Sequence, residues 1–523
     1  MDRRHFLALS GAAAVAASLP AGCAAPRTHV GVPGDDLLED LVEAAISQGA
    51  TYADARFVIT THRNAQVRKD RIHSVMDGDD AGIALRVFRD GGWGQSACSD
   101  LFTLSPRIMA AEALAAAAVT ARVAPLGYSP EGRVRGVRES WSTPLVRDPF
   151  DVPVEEITSF LRDITRKGGA QPRIEYAVAN MFARRRELHF FSSLDAHLTQ
   201  KLTHVWVNAA VTAFDQSSGR IDTRTSRFEP QAGGWELVNA HPFLEEIERA
   251  AHEAVAMQSA APLAPMRYDL VMHPSHHWHV VHRLLAPQLD PAAVHTTDGL
   301  NPAHRLLHLR DIGGQAFTSA QLTVDYDDAL RRGTGSFRWD DGGRPAGQGT
   351  VVENGIYRGF PLPDEQSRPL SSHSADISGQ GRVRAASWQS QPRFTMPNLR
   401  LRPSASPRSL EAIIADTQLG ILLAGRGFFN VSTDRSWFRA SSEQAWLIEN
   451  GTVKGMVRDF EYEARIKDFF GALAEVSVAT DAVAGADLFP TQAGENWDLP
   501  FSISTPAARY SNISTFSNGE ARP

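Results

Sequence analysis

Cysteine is scarce in this chain, and long apolar runs are nearly missing. The 523 residues include two cysteines, Cys23 and Cys98, so neither a disulfide framework nor a cysteine-based zinc site can be built. Beyond the N-terminus no stretch reaches the ~20 apolar residues that a membrane-spanning helix needs. Positive charge is not in excess either: the net charge is -7, which argues against nucleic acid as the main partner. The remaining composition, 43% hydrophobic and 22% charged, is ordinary for a globular protein.

Residues 1–26 have the pattern of an export signal. Arg3 and Arg4 form a twin-arginine core, and an apolar run over residues 7–19 follows. This run is too short to span a membrane, so we expect it to direct export by the twin-arginine route, a bacterial path for folded proteins. Cys23 ends a stretch similar to a lipoprotein cleavage site, although its leucine lies one place too far from the cysteine. We therefore expect a periplasmic protein or a lipoprotein anchored at Cys23.

The rest of the chain predicts an α+β fold. Apolar residues recur at helical spacing in some segments and alternate as in strands in others, and two Asn-Gly pairs in the second half are typical of tight hairpins. We expect three domains and a tail, at residues 36–125 (N-terminal, α+β), 145–258 (middle, α+β), 265–488 (C-terminal, β-rich and antiparallel) and 489–523 (a polar tail, packed on the surface or partly disordered).

Five histidines fall within residues 273–282, where the sequence contains an incomplete zinc-hydrolase pattern. Such a site needs two imidazoles one helical turn apart, a third ligand, an open position for water, and a carboxylate as general base. Only His282 can be placed in this pattern. Arg283 stands at the general-base position and cannot accept a proton, because a guanidinium stays protonated. Ala286 and Pro287 occupy the positions where a second histidine ligand could stand.

The upstream histidines offer another possible metal site. His276, His279 and His282 recur every third residue, and pairs at this spacing could chelate a divalent ion such as Zn²⁺. The alternative interpretation is a polar histidine stripe on a partly exposed helix. We therefore expect either no cofactor or zinc.

Several stretches, taken in their order, resemble the TldD/PmbA family of bacterial metallopeptidases and their partner subunits. They lie at residues 67–75, 82–94, 99–101, 333–336, 340–343, 353–355, 396–399, 410–420, 443–451 and 455–458. The resemblance covers most of residues 36–480. It implies a heterodimer of a metal-bearing and a metal-free subunit, which takes short or unfolded peptides into an enclosed site.

The resemblance also implies a metal site, of which this chain keeps one ligand. The first histidine of the family's His-Glu-x-x-x-His helix matches His282, the glutamate matches Arg283, and the second histidine has no counterpart. The family's cysteine ligand corresponds to Ser442, just before Glu443, and serine is a poor substitute for a thiolate.

Three functions remain open. The first is a non-catalytic or attenuated subunit that handles peptides or unfolded segments, as a homo- or heterodimer with a homologue. The second is an active metal-dependent peptidase with a site rearranged from His276, His279, His282 and His295 or Asp290. The third is a metal-binding or envelope protein built on the same fold. The combined loss of a ligand, the base and the cysteine favours the first.

Overall fold

Long strands dominate the first half of the chain. The structure, a computed structural model, describes residues 35–123, 130, 133–289, 307, 311–359, 382–394, 398–479, 485–487 and 499–517. In chain order the first elements are α1 (Asp35–Ser47), β1 (Tyr52–Arg68), β2 (Arg71–Arg89), β3 (Gly92–Cys98), α2 (Pro106–Val123), β4 (Arg138–Ser142), α3 (Val154–Gly168), β5 (Ile174–Ser192), β6 (Ala196–Asp215), β7 (Arg220–Thr225), β8 (Gln231–Ala232), α4 (Trp235–Ala240) and α5 (Phe243–Met257).

These strands form one eight-stranded sheet in the order β3-β2-β1-β5-β6-β4, with β7 and β8 also paired to β6. The predicted N-terminal and middle domains therefore share a sheet, because β1 pairs with β5 from Asp54 opposite Ser192 to Arg68 opposite Val178. Helices cover part of it. Residues spaced three or four apart on α1, such as Leu38, are buried with α2 against β1 and β2. Helices α3 and α5 pack on β5 and β6 in a second cluster.

Shorter strands make up the second half. Its elements are β9 (Ala261–Pro262), β10 (Arg267–Met272), α6 (Pro274–Leu284), α7 (Ala286–Leu289), β11 (Val324–Asp327), β12 (Gln348–Glu353), β13 (Ile356–Tyr357), β14 (Val383–Arg384), β15 (Arg393–Phe394), β16 (Asn398–Leu401), α8 (Leu410–Ala415), β17 (Leu419–Ala424), β18 (Phe429–Val431), β19 (Trp437–Ala440), β20 (Gln444–Glu449), β21 (Thr452–Arg458), β22 (Phe460–Arg465), α9 (Ile466–Gly471), β23 (Leu473–Val476), β24 (Gly485–Asp487), β25 (Phe501–Ser504) and β26 (Ala508–Ser517).

Three further sheets organise these strands. A ten-stranded sheet runs β18-β19-β22-β26-β10-β17-β20-β21-β9, with β23 added to β26, and a six-stranded sheet runs β13-β12-β11-β16-β25-β24. Strands β14 and β15 form a two-stranded pair. A single large apolar cluster joins the faces of the two larger sheets to helix α6. Most neighbours are antiparallel, so the predicted α+β class with a β-rich C-terminal half is confirmed.

Both Asn-Gly pairs form tight hairpins, as their sequence predicts. Asn354 and Gly355 have φ angles of 50° and 78°, and Asn450 and Gly451 have 49° and 72°. Two successive left-handed residues define a type I′ turn, whose twist suits the flanking strands.

The expectation of a polar tail over residues 489–523 is wrong for the residues described there. Strand β26 lies inside the ten-stranded sheet, between β22 and β10, and β25 pairs with β16 and β24. Four residues of β26 are buried, namely Ala508, Tyr510, Ile513 and Thr515, and the Tyr510 ring supplies much of the apolar surface. Asparagine is depleted in most strands, so a segment of this composition resembles a loop.

Other predictions fall on residues outside the described ranges. These include the export signal at residues 1–26 with Cys23, and the possible ligands Asp290 and His295. In the described part of the chain, no helix combines the length and the apolar character that crossing a membrane requires.

Candidate functional site

The histidine-rich segment forms helix α6, which begins directly after the inner strand β10. Pro274 is the first helical residue, where a missing N–H costs no hydrogen bond. His273 precedes it as the N-cap, and its Nδ1 accepts a hydrogen bond from the Ser275 amide at 3.1 Å. The Ser275 hydroxyl in turn accepts from the Gly425 amide, 3.0 Å away in the turn after β17. The start of the helix is thereby held by two elements of the sheet beneath it.

Helical geometry separates the three histidines that recur every third residue. Three residues turn the helix by about 300°, so each step shifts the side chain by roughly 60° around the axis. His276 and His282 consequently point about 120° apart and meet different neighbours. The three histidines therefore wind around the helix axis and do not form the single stripe that their spacing predicts.

His276 and the adjacent His277 lie entirely inside the protein and share one pattern of contacts. His276 places Nδ1 2.9 Å from the Gly425 carbonyl oxygen and Nε2 2.8 Å from the Tyr462 hydroxyl. His277 places Nδ1 2.8 Å from the Pro506 carbonyl and Nε2 2.9 Å from the Tyr510 hydroxyl. A carbonyl can only accept, so each Nδ1 carries the proton and each Nε2 accepts from a phenol. Burial lowers the pKa of each imidazole to about 4, and both rings are neutral structural groups at neutral pH.

His279 and His282 lie among aromatic rings. The His282 ring stacks on Phe501, with the ring centroids 4.2 Å apart and the planes 8° from parallel. The His279 ring meets Phe429 edge to face at 4.9 Å. Among the described residues, its Nδ1 has no hydrogen-bond partner. Trp278 lies between the two histidines, 5.3 Å from one ring and 6.2 Å from the other.

Two guanidinium groups act on this pair of histidines. The Arg426 guanidinium lies 4.9 Å above the Trp278 ring, and Arg283 follows His282 on the helix. Burial is the largest cause that lowers the pKa of His282 to about 3, and the charges of Arg283 and Arg426 contribute to the same shift. The pKa of His279 is also far below its ordinary value, chiefly through burial. A divalent cation placed between these imidazoles would meet the same repulsion.

Ser442, at the position implied for a cysteine ligand, has a local structural role. Its hydroxyl donates to the Gln444 carbonyl at 2.9 Å. The neighbouring Glu443 points toward the first sheet, where one carboxylate oxygen accepts from the Thr225 amide at 3.1 Å. Burial raises the pKa of Glu443. This stretch therefore joins β20 to β7.

The residues present do not fit a metallopeptidase centre. His276 has both ring nitrogens engaged, so in this arrangement it offers no lone pair to a metal. Over the ranges that the structure describes, no three side chains of the histidine, cysteine or acidic type are grouped to hold a metal ion. A ligand role for His279 and His282 stays a prediction, and so does one for Ser442.

Several residues that shape this region carry no signal in the local sequence. Tyr462, Tyr510 and Phe501 lie roughly 180–235 positions after the histidines they contact, and no motif links them. In the sequence, the one visible feature around Arg426 is the glycine on each side of it, Gly425 and Gly427. At Gly427 an added Cβ would lie 1.7 Å from the Ser441 carbonyl oxygen, so the chain can only pass there without a side chain. A glycine pair flanking an arginine is too common to have identified it.

Three family models match the chain in sequence order. They are described as PmbA/TldA metallopeptidase domain 1 (residues 53–122), central domain (147–258) and C-terminal domain (265–516). One curated relative is a metalloprotease of Methanothermobacter thermautotrophicus, which is 23% identical over 438 residues. These residues are 82% of this chain and 87% of the relative. A metalloprotease of Methanocaldococcus jannaschii is 22% identical over 427 residues, 80% and 87% of the two chains.

Solved structures share the fold at low identity. A protein described as a modulator of a DNA gyrase from Thermotoga maritima superposes with a TM-score of 0.71 at 15% identity, covering 92% of this chain and all (100%) of the other. TldE of Thermococcus kodakarensis gives a TM-score of 0.65 at 17% identity, with 91% and 99% covered. Since the three family models together span most of the described residues and occur in the family's order, this chain belongs to the PmbA/TldD metallopeptidase family.

Proposed function

We propose that this protein is a non-catalytic or strongly attenuated member of the PmbA/TldD family, which binds peptides or unfolded segments without cleaving them efficiently. The observation that carries the proposal is the environment of His282. Arg283 stands where the resemblance requires a general base, and Arg426 adds a second positive charge near the same ring. Arg426 is itself paired with Glu229 at 2.8 Å, whereas a guanidinium at the position of Arg283 cannot deprotonate a water molecule.

The chain around His282 also explains why one substitution would not restore the chemistry. Helix α6 ends at Leu284, and the next short helix, α7, begins at Ala286. The positions one turn beyond His282 are taken by Ala286 and Pro287, neither of which has a side chain that can bind a metal. Losing a general base alone removes ~10²–10⁴-fold in rate, and the missing ligands remove the metal's contribution in addition.

The test measures metal content, hydrolysis and peptide binding on the same preparation. We expect less than one equivalent of any transition metal after folding without an affinity tag, and no chelator-sensitive cleavage of unfolded casein. Arg283→Glu should leave hydrolysis undetectable. Fluorescence anisotropy should still report binding of labelled peptides. Stoichiometric zinc together with hydrolysis that His282→Ala abolishes would refute the proposal.

A second candidate, a peptidase with a rearranged metal site, is favoured by one observation. The Nδ1 of His279 is buried without a hydrogen-bond partner among the described residues, and a buried polar atom of this kind is unusual. If this nitrogen binds a metal, zinc should bind the protein stoichiometrically, and His279→Ala should abolish that binding. His276→Ala is a poor control because it breaks two structural hydrogen bonds, so His73→Ala, on the exposed part of β2, serves instead.

The setting we propose is outside the cytoplasm, together with a homologue. The twin-arginine pattern at Arg3 and Arg4 supports export, and Cys23 supports a lipid anchor. The relation to TldE supports pairing with a second family member. Replacing both arginines with lysine should leave the precursor in the cytoplasm, and Cys23→Ser should release the mature protein from membranes. Appearance of the double-lysine protein outside would contradict the export route.

A further inference from the structure

A cluster of buried arginines lies between the first sheet and the C-terminal half. Strand β5 contains three successive arginines, and strand alternation places Arg184 and Arg186 on one face and Arg185 on the other. On β6, His204 lies opposite Arg184 and Leu202 lies opposite Arg186. The inner face of the sheet therefore presents two guanidiniums side by side.

The C-terminal half closes this face into a small cavity. Arg384 of β14 reaches it from the other side, and its guanidinium donates to the Pro500 carbonyl at 2.7 Å. The cavity has a volume of about 20 Å³, and its lining includes Arg184, Arg186, His204, Asp341, Arg384 and Pro500. That volume is enough for one water-sized occupant.

Positive charge exceeds negative charge around the cavity. Arg184, Arg186 and Arg384 are at most 9% exposed, and Arg56 on the adjacent strand β1 is fully buried. Among the described residues around the cavity, two carboxylates stand against these four guanidiniums. Asp341 accepts from Arg186 at 2.6 Å and from the Ala385 amide. The other, Asp340, is occupied with backbone amides, among them those of Gly342 and Val383.

The nearest other carboxylates are already paired. Asp54 accepts from Arg86 at 2.6 Å, with both side chains fully buried, and Asp328 is bound to Arg382. The excess charge cannot be removed by losing a proton. Burial lowers the pKa of Arg184 and of Arg384 to about 10, which still leaves both guanidiniums charged at neutral pH.

Two guanidinium N–H groups of the lining arginines have no protein acceptor in the described part of the chain. The Nε atoms of Arg184 and Arg186 are buried and have no hydrogen-bond partner among the residues described. An unpaired buried cation costs several kcal/mol in a folded protein, and guanidinium N–H groups are the donors that bind anions most specifically. Both the charge balance and the free donors therefore call for a negatively charged occupant.

We infer that this cavity is an anion-binding site, which holds one halide-sized ion or one carboxylate group between Arg184, Arg186 and Arg384. The anion could be a free inorganic ion or the end of a longer ligand. A second cavity, of about 500 Å³, shares Phe337 with the first and is lined by residues such as Leu237 and Leu330. An apolar chain ending in a carboxylate would match this combination. The inference does not depend on the proposed function.

Bromide provides a direct probe because its position can be seen by anomalous scattering. Crystals of the wild-type protein grown without halide and soaked in sodium bromide should show an anomalous peak within hydrogen-bonding distance of the Arg184 guanidinium. In solution, bromide at constant ionic strength, exchanged against a bulky sulfonate, should raise the midpoint of thermal unfolding in a saturable way.

A matched pair of variants tests whether the arginine cluster causes this response. Arg184→Gln should abolish the saturable bromide effect, while Arg185→Gln should retain it, because Arg185 lies on the opposite face of β5 and pairs with Asp148. If Arg184→Gln does not fold, the anomalous map of the wild-type protein decides alone. Absence of the peak, or equal bromide responses in both variants, would overturn the inference.

A competition experiment distinguishes the two sources of the anion. A short apolar peptide with a free terminal carboxylate is compared with the same peptide carrying a terminal amide. Displacement of bromide by the carboxylate form alone supports a site for chain ends or other organic acids. Failure of both to displace bromide supports a site for an inorganic ion.

Discussion

The two buried histidine–tyrosine pairs predict a loss of stability in mild acid. The pKa of His276 and of His277 falls from 6.5 in the unfolded chain to about 4 in the folded protein, because burial disfavours the charged ring. The unfolded state therefore binds protons at a higher pH than the native state does. The contribution of the two neutral rings to the stability of the folded protein is complete above pH 6.5. It is progressively lost as the pH falls from 6.5 toward 4.

The size of the effect follows from the shift. At pH 5 a histidine of the unfolded chain is almost fully protonated, whereas the folded one is mostly neutral. Each ring therefore lowers the free energy of unfolding by about 2 kcal/mol at this pH. Both rings are fully buried, so solvent screening does not reduce this figure. Together they should cost ~4 kcal/mol between pH 7 and pH 5, a large fraction of the 5–15 kcal/mol that is typical for a folded domain.

His277→Asn isolates one of the two rings. Asparagine can still donate to the Pro506 carbonyl but leaves the Tyr510 hydroxyl without its acceptor, so we expect a loss of about 1–3 kcal/mol at pH 8. Between pH 7 and pH 5, the free energy of unfolding of this variant should fall by about 2 kcal/mol less than that of the wild type. Urea unfolding at pH 8, 7, 6 and 5 measures both quantities, provided that the m value is unchanged.

His73→Asn is the control, since His73 is exposed on β2 and the variant removes a histidine without altering the helix. A wild type whose unfolding midpoint is constant from pH 7 to 5 would refute the reasoning. So would a His277→Asn protein with the same pH dependence as the wild type, because the buried ring would then not be the group that titrates.

Other predictions concern stability alone. Gly427→Ala should destabilise the protein by more than about 3 kcal/mol in thermal or urea unfolding, because the new methyl group would overlap the Ser441 carbonyl oxygen. Asp54→Ala should cost ~3–5 kcal/mol by leaving the fully buried Arg86 without its carboxylate, and the double variant with Arg86→Met should be more stable than the single one. Ser409→Ala removes the side-chain cap of α8 and should cost about 1 kcal/mol by the same measurement.

Local patterns predicted local structure well. The Asn-Gly hairpins and the α+β class both depend on neighbouring residues, whose conformational preferences act over a few positions. The polar end of the chain was misjudged because composition alone does not show where a strand pairs. These last residues form strand β26 because they pair with β10 on one side and with β22 on the other. Both partners lie far away in the sequence.

The candidate site could be predicted only in part for the same reason. The loss of the base at Arg283 and of the ligands stays a prediction from the sequence, which depends on residues at fixed spacing from His282 and on the resemblance at Ser442. The roles of His276 and His277 are not, since they depend on Tyr462 and Tyr510, which other strands supply. The spacing of three residues also suggested a shared face, whereas the helical repeat turns these side chains apart.

The position of β26 has a consequence for the order in which the chain can fold during synthesis. Arg267 of β10 pairs with Ser514, so the sheet beneath helix α6 needs a partner made 247 residues later. A nascent chain that has emerged only as far as β25 leaves β10 and β22 each with one unpaired edge, and such edges are prone to pairing with other chains. The support of the histidine helix is therefore completed only after β26 has been made, and a chaperone that covers these two edges would act before β26 pairs.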